Sequence, residues 1–150
     1  MKTILFLSAS NDYRSRFSES LFNHLARKRG LNWRAYSRGL SVNRLNQPIA
    51  REAISELTRR GIPLEHSLRS PRRVSEIDFK KANKTIAIEE STDRPLMRKQ
   101  YPSWANSVEY WNVSDGHVPS QQLEHKINQL IDRLVPTHAS LATAWMGDDY

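Results

Sequence analysis

Hydroxyl, amide, carboxyl and guanidinium side chains lie close together in the segment from Ser8 to Ser15. This segment follows the apolar run Thr3 to Leu7 and precedes a helical pattern from Phe17 to Ala26. A short polar loop between a strand and a helix binds anions in many α/β proteins, because its backbone N–H groups converge and the helix N-terminus adds positive partial charge. Arg14 adds a planar guanidinium that can pair with two oxygens. The pattern predicts a phosphate-binding loop.

The elements that must position this loop follow from periodicity and from the turn residues. Residues 3–8 predict a buried parallel strand, and the order βαβαβαβα predicts an α/β fold with a four-stranded parallel sheet and helices on both faces. The loop then belongs at the carboxyl ends of the strands. The predicted helices span about 15–29, 48–60, 76–82, 90–100 and 120–135, and the predicted strands span 3–8, 33–36, 84–88 and 108–111, with a loop from Ser37 to Gln47.

Residues Ile4 to Glu19 resemble the opening of the low-molecular-weight protein tyrosine phosphatases, which share their fold with the thioredoxin-coupled arsenate reductases. That family opens with a strand that ends in Cys, followed by five residues, Arg and Ser. An Asn comes three residues after the Cys, and an acidic residue lies in the first helix. The residues in register with this pattern are Asn11, Arg14, Ser15 and Glu19. Ser8 falls at the position of the nucleophilic cysteine.

The resemblance covers roughly residues 2 to 135. Ser37-Arg38-Gly39 looks like the turn after the family's second strand, and Trp111 to Asp115 resembles the late loop that carries its general acid. The chain departs from the family at several places besides Ser8. Ser10 stands where Gly is usual, Asp12 where an apolar or aromatic residue is common, Tyr13 where some members have a second cysteine, and Gly116 where Pro follows the acid.

The resemblance implies a role for each part of the site. The residue at position 8 attacks phosphorus, Arg14 binds the equatorial oxygens, and Asp115 protonates the leaving oxygen. The expected ligands are a phosphorylated protein, a small phosphomonoester, or inorganic phosphate or sulfate, and no metal or cofactor is expected. The loop residues expected to line the bound group are Ala9, Ser10, Asn11, Asp12, Tyr13 and Ser15.

Simpler interpretations exist for most of these residues. Arg14 could form a surface ion pair, and Asn11 could be a plain turn residue that tolerates left-handed φ rather than a brace for the loop. Ser15 could only cap the first helix rather than reach position 8. Asp115 could be a turn residue before Gly116. The five histidines, His24, His66, His117, His125 and His138, show no metal-ligand spacing.

Serine at position 8 changes the expected chemistry. A serine hydroxyl is far more basic than a thiol and needs an adjacent base, and the loop offers only Asp12, which we expect to face outward. We therefore expect phosphate binding without the covalent step, so that the chain is inactive as a phosphatase. Ser8 is either an engineered trapping substitution or the mark of a natural pseudoenzyme. The alternative function is a non-enzymatic phospho-ligand-binding or scaffold protein on the same fold.

Composition excludes several classes of function. The chain has 150 residues and no cysteine, which rules out disulfides, thiolate-ligated metals and an arsenate reductase mechanism that relays electrons through thiols. No apolar run is long enough to span a membrane, so we expect a soluble cytoplasmic protein. One domain is expected over residues 1–136, with a C-terminal tail, 137–150, that is disordered or docks through Trp145.

The charge is distributed unevenly along the chain. Residues 1–100 carry 21 Lys and Arg against 10 Asp and Glu, and residues 101–150 carry 2 against 6, which gives the net charge of +7. Two basic clusters, Arg27-Lys28-Arg29 and Arg59-Arg60, precede a glycine and are interpreted as solvated helix ends. No nucleic-acid-binding motif is present, so nucleic acid is not an expected partner.

Overall fold

The computed structural model describes residues 1–42, 49–64, 69–116 and 119–136. These residues form four strands and five helices, and their order matches the predicted alternation. The elements are β1 (Lys2–Ser8), α1 (Arg14–Lys28), β2 (Trp33–Gly39), α2 (Arg51–Arg59), α3 (Glu76–Lys81), β3 (Lys84–Ala87), α4 (Glu90–Gln100), β4 (Glu109–Tyr110) and α5 (Pro119–Leu134). The predicted tail, together with His66 and His117, lies outside the described residues.

The four strands form one parallel sheet, as the sequence predicted, and the structure gives their order as β2-β1-β3-β4. The central strand β1 pairs with β2 from Lys2↔Trp33 to Ser8↔Gly39, and it pairs with β3 up to Leu7↔Ala87. β1 can be central because its residues 4–7 are all apolar and fully buried, as a strand covered on both faces requires. The carboxyl ends of β1 and β2 therefore meet at one edge, where the polar loop begins.

Side chains alternate along β1 and contribute to two separate cores. Ile4 and Phe6 pack with residues of α1, α2 and α5 on one face of the sheet. Leu5 and Leu7 pack with residues of α3 and α4 on the other face. The helices thus cover both faces, which confirms the predicted α/β class. None of the helices in the described ranges has the length and hydropathy that a membrane span needs.

Two local predictions were wrong. Residues 37–39 were assigned to a loop but extend β2 to Gly39, because they pair with the end of β1. A Cβ at Gly39 would lie 2.4 Å from Val42 Cγ2 and 3.0 Å from Ala9 O, so this glycine allows β2 to approach the polar loop closely. Arg60 was assigned to a solvated helix end, but its guanidinium contacts Glu56 and Glu124 and thereby links α2 to α5.

Candidate phosphate-binding site

The polar loop runs from the end of β1 to the first turn of α1, at the carboxyl edge of the sheet. Asn11 has a φ of 55°, a left-handed conformation that Asn adopts more readily than most residues. Its N–H donates to Ser8 Oγ at 3.3 Å. Within the described part of the chain, the N–H groups of Ala9, Ser10, Asp12 and Tyr13 donate to no acceptor. The loop therefore keeps several backbone donors for an anion.

Ser8 lies at the base of the loop and exposes 3% of its surface. Its Oγ is 2.6 Å from Ser15 Oγ, and Ser15 Oγ also accepts a hydrogen bond from Asn11 Nδ2 at 2.9 Å. Asp12 accepts from Ser10 Oγ at 2.5 Å instead of contacting Ser8. The partners of the Ser8 hydroxyl among the described residues are thus a hydroxyl and an amide, neither of which is a general base.

The simpler interpretation, in which Ser15 only caps the first helix, does not hold. Helix α1 begins at Arg14, so its cap position is Tyr13. Tyr13 makes no side-chain cap hydrogen bond. The Ser15 hydroxyl reaches Ser8 instead. The Tyr13 ring packs edge-on against Phe17, with the ring centroids 6.4 Å apart, and burial raises the pKa of its phenol above the ordinary value.

Asn11 is completely buried and braces the loop through both ends of its amide. Nδ2 donates to Ser15 Oγ at 2.9 Å and to Ser37 Oγ at 3.0 Å. Oδ1 accepts from Arg72 N at 3.0 Å and from Arg69 Nη1 at 3.3 Å. The side-chain to backbone bond expected of Asn11 is therefore present, and it joins the loop to the segment that contains Arg69 and Arg72.

A second layer of buried polar groups supports Asn11 from behind. Ser37 Oγ donates to Glu19 Oε1 at 2.7 Å. Arg69 Nη2 donates to Glu19 Oε1 at 3.1 Å and to Ser37 Oγ at 2.9 Å. Glu19 was in register with the family pattern, whereas nothing in the sequence distinguished Arg69 from the other arginines of its basic segment.

Arg14 begins α1 with most of its side chain buried, and it contacts the segments that follow two other strands. Nη1 donates to Glu89 Oε1 at 2.8 Å, just beyond β3, and to Val113 O at 2.7 Å, just beyond β4. Nε is 3.7 Å from Asp115 Oδ1, and Asp115 is 72% exposed. The structure therefore brings Arg14 and Asp115, two site residues that the resemblance implied, close together, and it adds Glu89.

Acidic residues that follow β3 line the side of the site next to Arg14. Asp93 is 1% exposed, and its Oδ2 accepts a hydrogen bond from Glu89 N at 2.9 Å. Burial raises the pKa of Asp93 to about 6, although the hydrogen bond from Glu89 N and the charge of Arg14 oppose this shift. Acidic residues directly after a buried strand were the available sequence signal for Glu89 and Asp93. No group of three or more His, Asp or Glu in the described ranges could hold a metal ion.

Replacing Asp93 with Asn should change how stability depends on pH. The folded-state pKa of about 6 exceeds the ordinary value of 3.8, so the parent loses stability as pH rises through this interval, and the loss persists above pH 6. Asp93→Asn keeps an acceptor for Glu89 N–H without a charge to bury. Relative to the parent, it should gain roughly 2–3 kcal/mol between pH 4 and pH 7. Urea unfolding of both proteins across this range measures the difference, and a difference that does not change with pH would refute the explanation.

The sequence matches one protein-family model. The model describes low molecular weight phosphotyrosine protein phosphatases, and it matches residues 3–143. The match includes the polar loop and the segment around Asp115. No curated protein matches the chain.

Several solved structures share the fold. A low molecular weight protein tyrosine phosphatase from T. tengcongensis is 24% identical, with a TM-score of 0.79 over 89% of this chain and 100% of that one. YfkJ from Bacillus subtilis is 23% identical, with a TM-score of 0.80 over 89% and 94% of the two chains. The arginine phosphatase YwlE, as a cysteine-to-serine mutant with a phosphorylated active-site serine, is 21% identical, with a TM-score of 0.78 over 91% and 98%.

Proposed function

Because the chain belongs to the low molecular weight phosphotyrosine protein phosphatase family, we propose that it binds phosphoryl groups in the loop of residues 8–15 but does not hydrolyse phosphomonoesters. The observation that carries this proposal is the surroundings of Ser8. Its Oγ contacts Ser15 Oγ at 2.6 Å, and no carboxylate or imidazole contacts it in the described part of the chain. The loop retains its donors for an anion, while its first residue lacks a base.

Phosphate binding in this proposal uses backbone and side-chain donors together. The free N–H groups of the loop surround one face of the phosphoryl group, and the start of α1 adds positive partial charge. Arg14 uses Nη1 for Glu89 and Val113. Its Nε and Nη2 edge then binds two phosphoryl oxygens, and Nε exchanges its 3.7 Å contact with Asp115 Oδ1 for one of them. The acceptors on Nη1 hold the guanidinium plane above the loop.

Hydrolysis of a phosphomonoester needs a nucleophile that is ionised or deprotonated during attack. In the family, the same N–H groups and the arginine stabilise a thiolate. The same interactions cannot lower the pKa of a serine hydroxyl far enough to ionise it at neutral pH. In this proposal Asp115, which is exposed and close to Arg14, keeps the carboxyl group of a leaving-group acid but has no attacking group to assist. In this proposal, the protein therefore binds phosphorylated ligands without hydrolysing them.

The class of phosphorylated ligand has two candidates. Family membership favours phosphotyrosine. A phosphoguanidinium ligand such as phosphoarginine is the second candidate, because the carboxylates of Asp12 and Asp115 lie beside the loop and suit a cation attached to the phosphoryl group. The likeness to YwlE, which is an arginine phosphatase, also supports a phosphoguanidinium ligand. The aromatic ring of Tyr13 in the loop packs against the core, and Trp111, four residues before Asp115, is buried in it.

Anion binding tests the proposal directly. Titration of the protein with vanadate or phosphate in a calorimeter should show binding at one site. Arg14→Ala should weaken it about 10- to 100-fold, because a hydrogen bond to a charged group contributes roughly 1.5–3 kcal/mol. Arg29→Ala is the matched control, since it removes the same charge at an exposed pair with Asp132. No binding at millimolar ligand, or equal binding by parent and Arg14→Ala, would refute the phosphate loop.

The same titration distinguishes the two ligand classes. Phosphotyrosine and phosphoarginine are compared at equal concentration in the parent and in Asp115→Asn. Loss of the carboxylate should weaken phosphoarginine, whose cation it attracts, and should leave phosphotyrosine binding unchanged or slightly stronger. Equal effects on both ligands would remove the support for the phosphoguanidinium class.

A further inference from the structure

A cavity of about 410 Å³ lies between α1 and the start of β2, and no residue of the loop 8–15 lines it. We propose that this cavity binds a small aromatic carboxylate and thereby strengthens anion binding at the loop. The volume is within the range of pockets that hold small ligands. The binding is independent of the function proposed above, whereas its effect on the loop rests on the proposed phosphate binding.

Apolar side chains form part of the lining of the cavity, and they come from Leu31, Trp33 and Pro63. Leu31 and Trp33 are partly buried, because they pack against the core and also border the cavity. An indole offers a flat apolar surface against which an aromatic ring can pack. The lining therefore favours a ligand with an aromatic body.

The charged part of the lining has an excess of positive charge. Arg27, near the end of α1, and Arg34, in β2, are exposed, and neither guanidinium forms a salt bridge within the described residues. The carboxylate that lines the cavity, Glu19, is already paired with Arg69 Nη2 at 3.1 Å. A guanidinium binds a carboxylate through two parallel hydrogen bonds. The two arginines therefore favour an anionic group on the ligand.

A carboxylate suits the cavity better than a phosphate does. In the proposed function, a phosphoryl dianion meets converging backbone N–H groups and Arg14 at the loop, which is the stronger site for it. The cavity offers guanidinium groups and the imidazole of His24 instead. Burial and the charges of Lys28 and Arg27 lower the pKa of His24, so its imidazole is neutral at pH 7 and donates one hydrogen bond. This set of donors matches a planar monoanion.

Two side chains of the lining also support the loop from behind. Asn23 Nδ2 donates to Ala35 O at 3.0 Å, and Asn23 Oδ1 accepts from Ala35 N at 2.7 Å, so this amide holds β2 against α1. Glu19 Oε1 accepts from Ser37 Oγ at 2.7 Å, and Ser37 Oγ accepts from Asn11 Nδ2 at 3.0 Å. A ligand that packs against Asn23 and Glu19 therefore favours the positions of α1 and β2 in which Asn11 braces the loop.

NMR titration of the isotope-labelled full chain with naphthalene-2-carboxylate tests the site. Backbone amide signals should shift most in residues 19–27 and 31–34, along the lining. Arg27→Ala and Arg34→Ala should each weaken binding roughly 10- to 100-fold, because each removes a charged hydrogen-bond donor. Arg98→Ala is the matched control, since it removes the same charge from an exposed position in α4, on the other face of the sheet, and it should bind like the parent.

Two related probes separate the contributions of the charge and the ring. Naphthalene-2-carboxamide keeps the ring without the charge, and cyclohexanecarboxylate keeps the charge without an aromatic ring. Each should bind about 10-fold more weakly or worse. Absence of saturable binding at millimolar naphthalene-2-carboxylate, or binding equal to that of the carboxamide, would overturn the site. Displacement of the carboxylate by vanadate would place it in the loop instead and would also overturn the site.

The effect on the loop is measured by calorimetry in the same protein. Saturating naphthalene-2-carboxylate should lower the vanadate Kd about 5-fold, at the low end of effects between distinct sites. In Arg34→Ala, the same concentration of carboxylate should leave the vanadate Kd unchanged. An unchanged Kd in the parent would overturn the effect on the loop and leave the cavity site standing. A parent that binds the carboxylate but not vanadate would overturn the function proposed above and not the cavity site.

Discussion

Ser8→Cys should raise the hydrolysis of an aryl phosphate from the level of buffer to about one turnover per second or more, within the range of ordinary enzymes. The reason is that the loop N–H groups, Arg14 and the start of α1 all stabilise a thiolate at position 8, and Ser15 Oγ, 2.6 Å from Ser8 Oγ, adds a donor. The parent should remain indistinguishable from buffer. Release of the phenol, followed by absorbance, measures both proteins.

Two further substitutions in the Ser8→Cys background separate the roles of the other residues. Arg14→Ala should remove binding and rate together. Asp115→Ala should slow the reaction about 100-fold or more for a phenol of high pKa and least for an acidic phenol, because the general acid matters most for a poor leaving group. Ser10→Cys alone is the matched control: it places a thiol in the same loop, on the exposed side, and should produce no activity.

The contrary outcomes have distinct meanings. An inactive Ser8→Cys protein that still binds vanadate would indicate that Ser10, Asp12 and Gly116 have also lost the family's function, as expected of a natural pseudoenzyme. The genomic codon at position 8 gives the independent answer, since a Cys codon indicates an engineered trap. Turnover by the unmodified chain, abolished by Ser8→Ala, would overturn the argument that the loop lacks a base for the hydroxyl.

Asn11→Ala should lower the free energy of unfolding by about 3 kcal/mol and weaken anion binding. The substitution leaves Arg72 N–H without its acceptor, which costs roughly 1–3 kcal/mol, and it removes one of the hydrogen bonds of the Ser15 and Ser37 hydroxyls, which keep their other partners. It also forces a residue with a Cβ and no local hydrogen bond into a left-handed conformation. Urea unfolding measures the stability, and the vanadate titration measures the binding.

Asn11→Gly is the control that divides this effect between side chain and backbone. Glycine adopts positive φ without strain, so it should recover about 1 kcal/mol relative to Ala while still lacking the amide contacts. Equal stability of the Ala and Gly variants would show that the backbone conformation contributes little. Equal stability of the Ala variant and the parent would refute the bracing role.

The parts of the fold and candidate site that sequence predicts are those set by local pattern. Residues 4–7 are continuously apolar, and the register of Asn11, Arg14 and Ser15 relative to the end of that run placed them in one loop. Asp115 was indicated by the resemblance to the family's late loop and not by a local pattern. The structure brings it next to Arg14, although about a hundred residues separate the two, because the segments that carry them both lie at the carboxyl edge of the parallel sheet.

The partners of the site residues were not predictable in the same way. Arg69 contacts Asn11 across 58 positions and Glu89 contacts Arg14 across 75, and neither residue belongs to a periodic pattern that marks it. From sequence alone, an arginine in a basic segment is expected to be solvated. Only the fold shows that a buried carboxylate lies beside it. The misassignment of Arg60 has the same origin, since a contact with Glu124 of α5 replaced the expected solvated helix end.

The hydrogen bond from Arg14 Nη1 to Val113 O has a thermodynamic consequence for the whole site. Val113 is itself attached to the sheet through its N–H to Ile88 O at 3.0 Å, and Asp115 follows two residues later. An anion that stiffens Arg14 must therefore also favour one arrangement of the segment that carries Asp115. By linkage, that arrangement must favour the anion by the same factor. Vanadate binding should slow amide exchange in the segment that carries Asp115, and restraining this segment should tighten vanadate binding. Both measurements report the same coupling free energy.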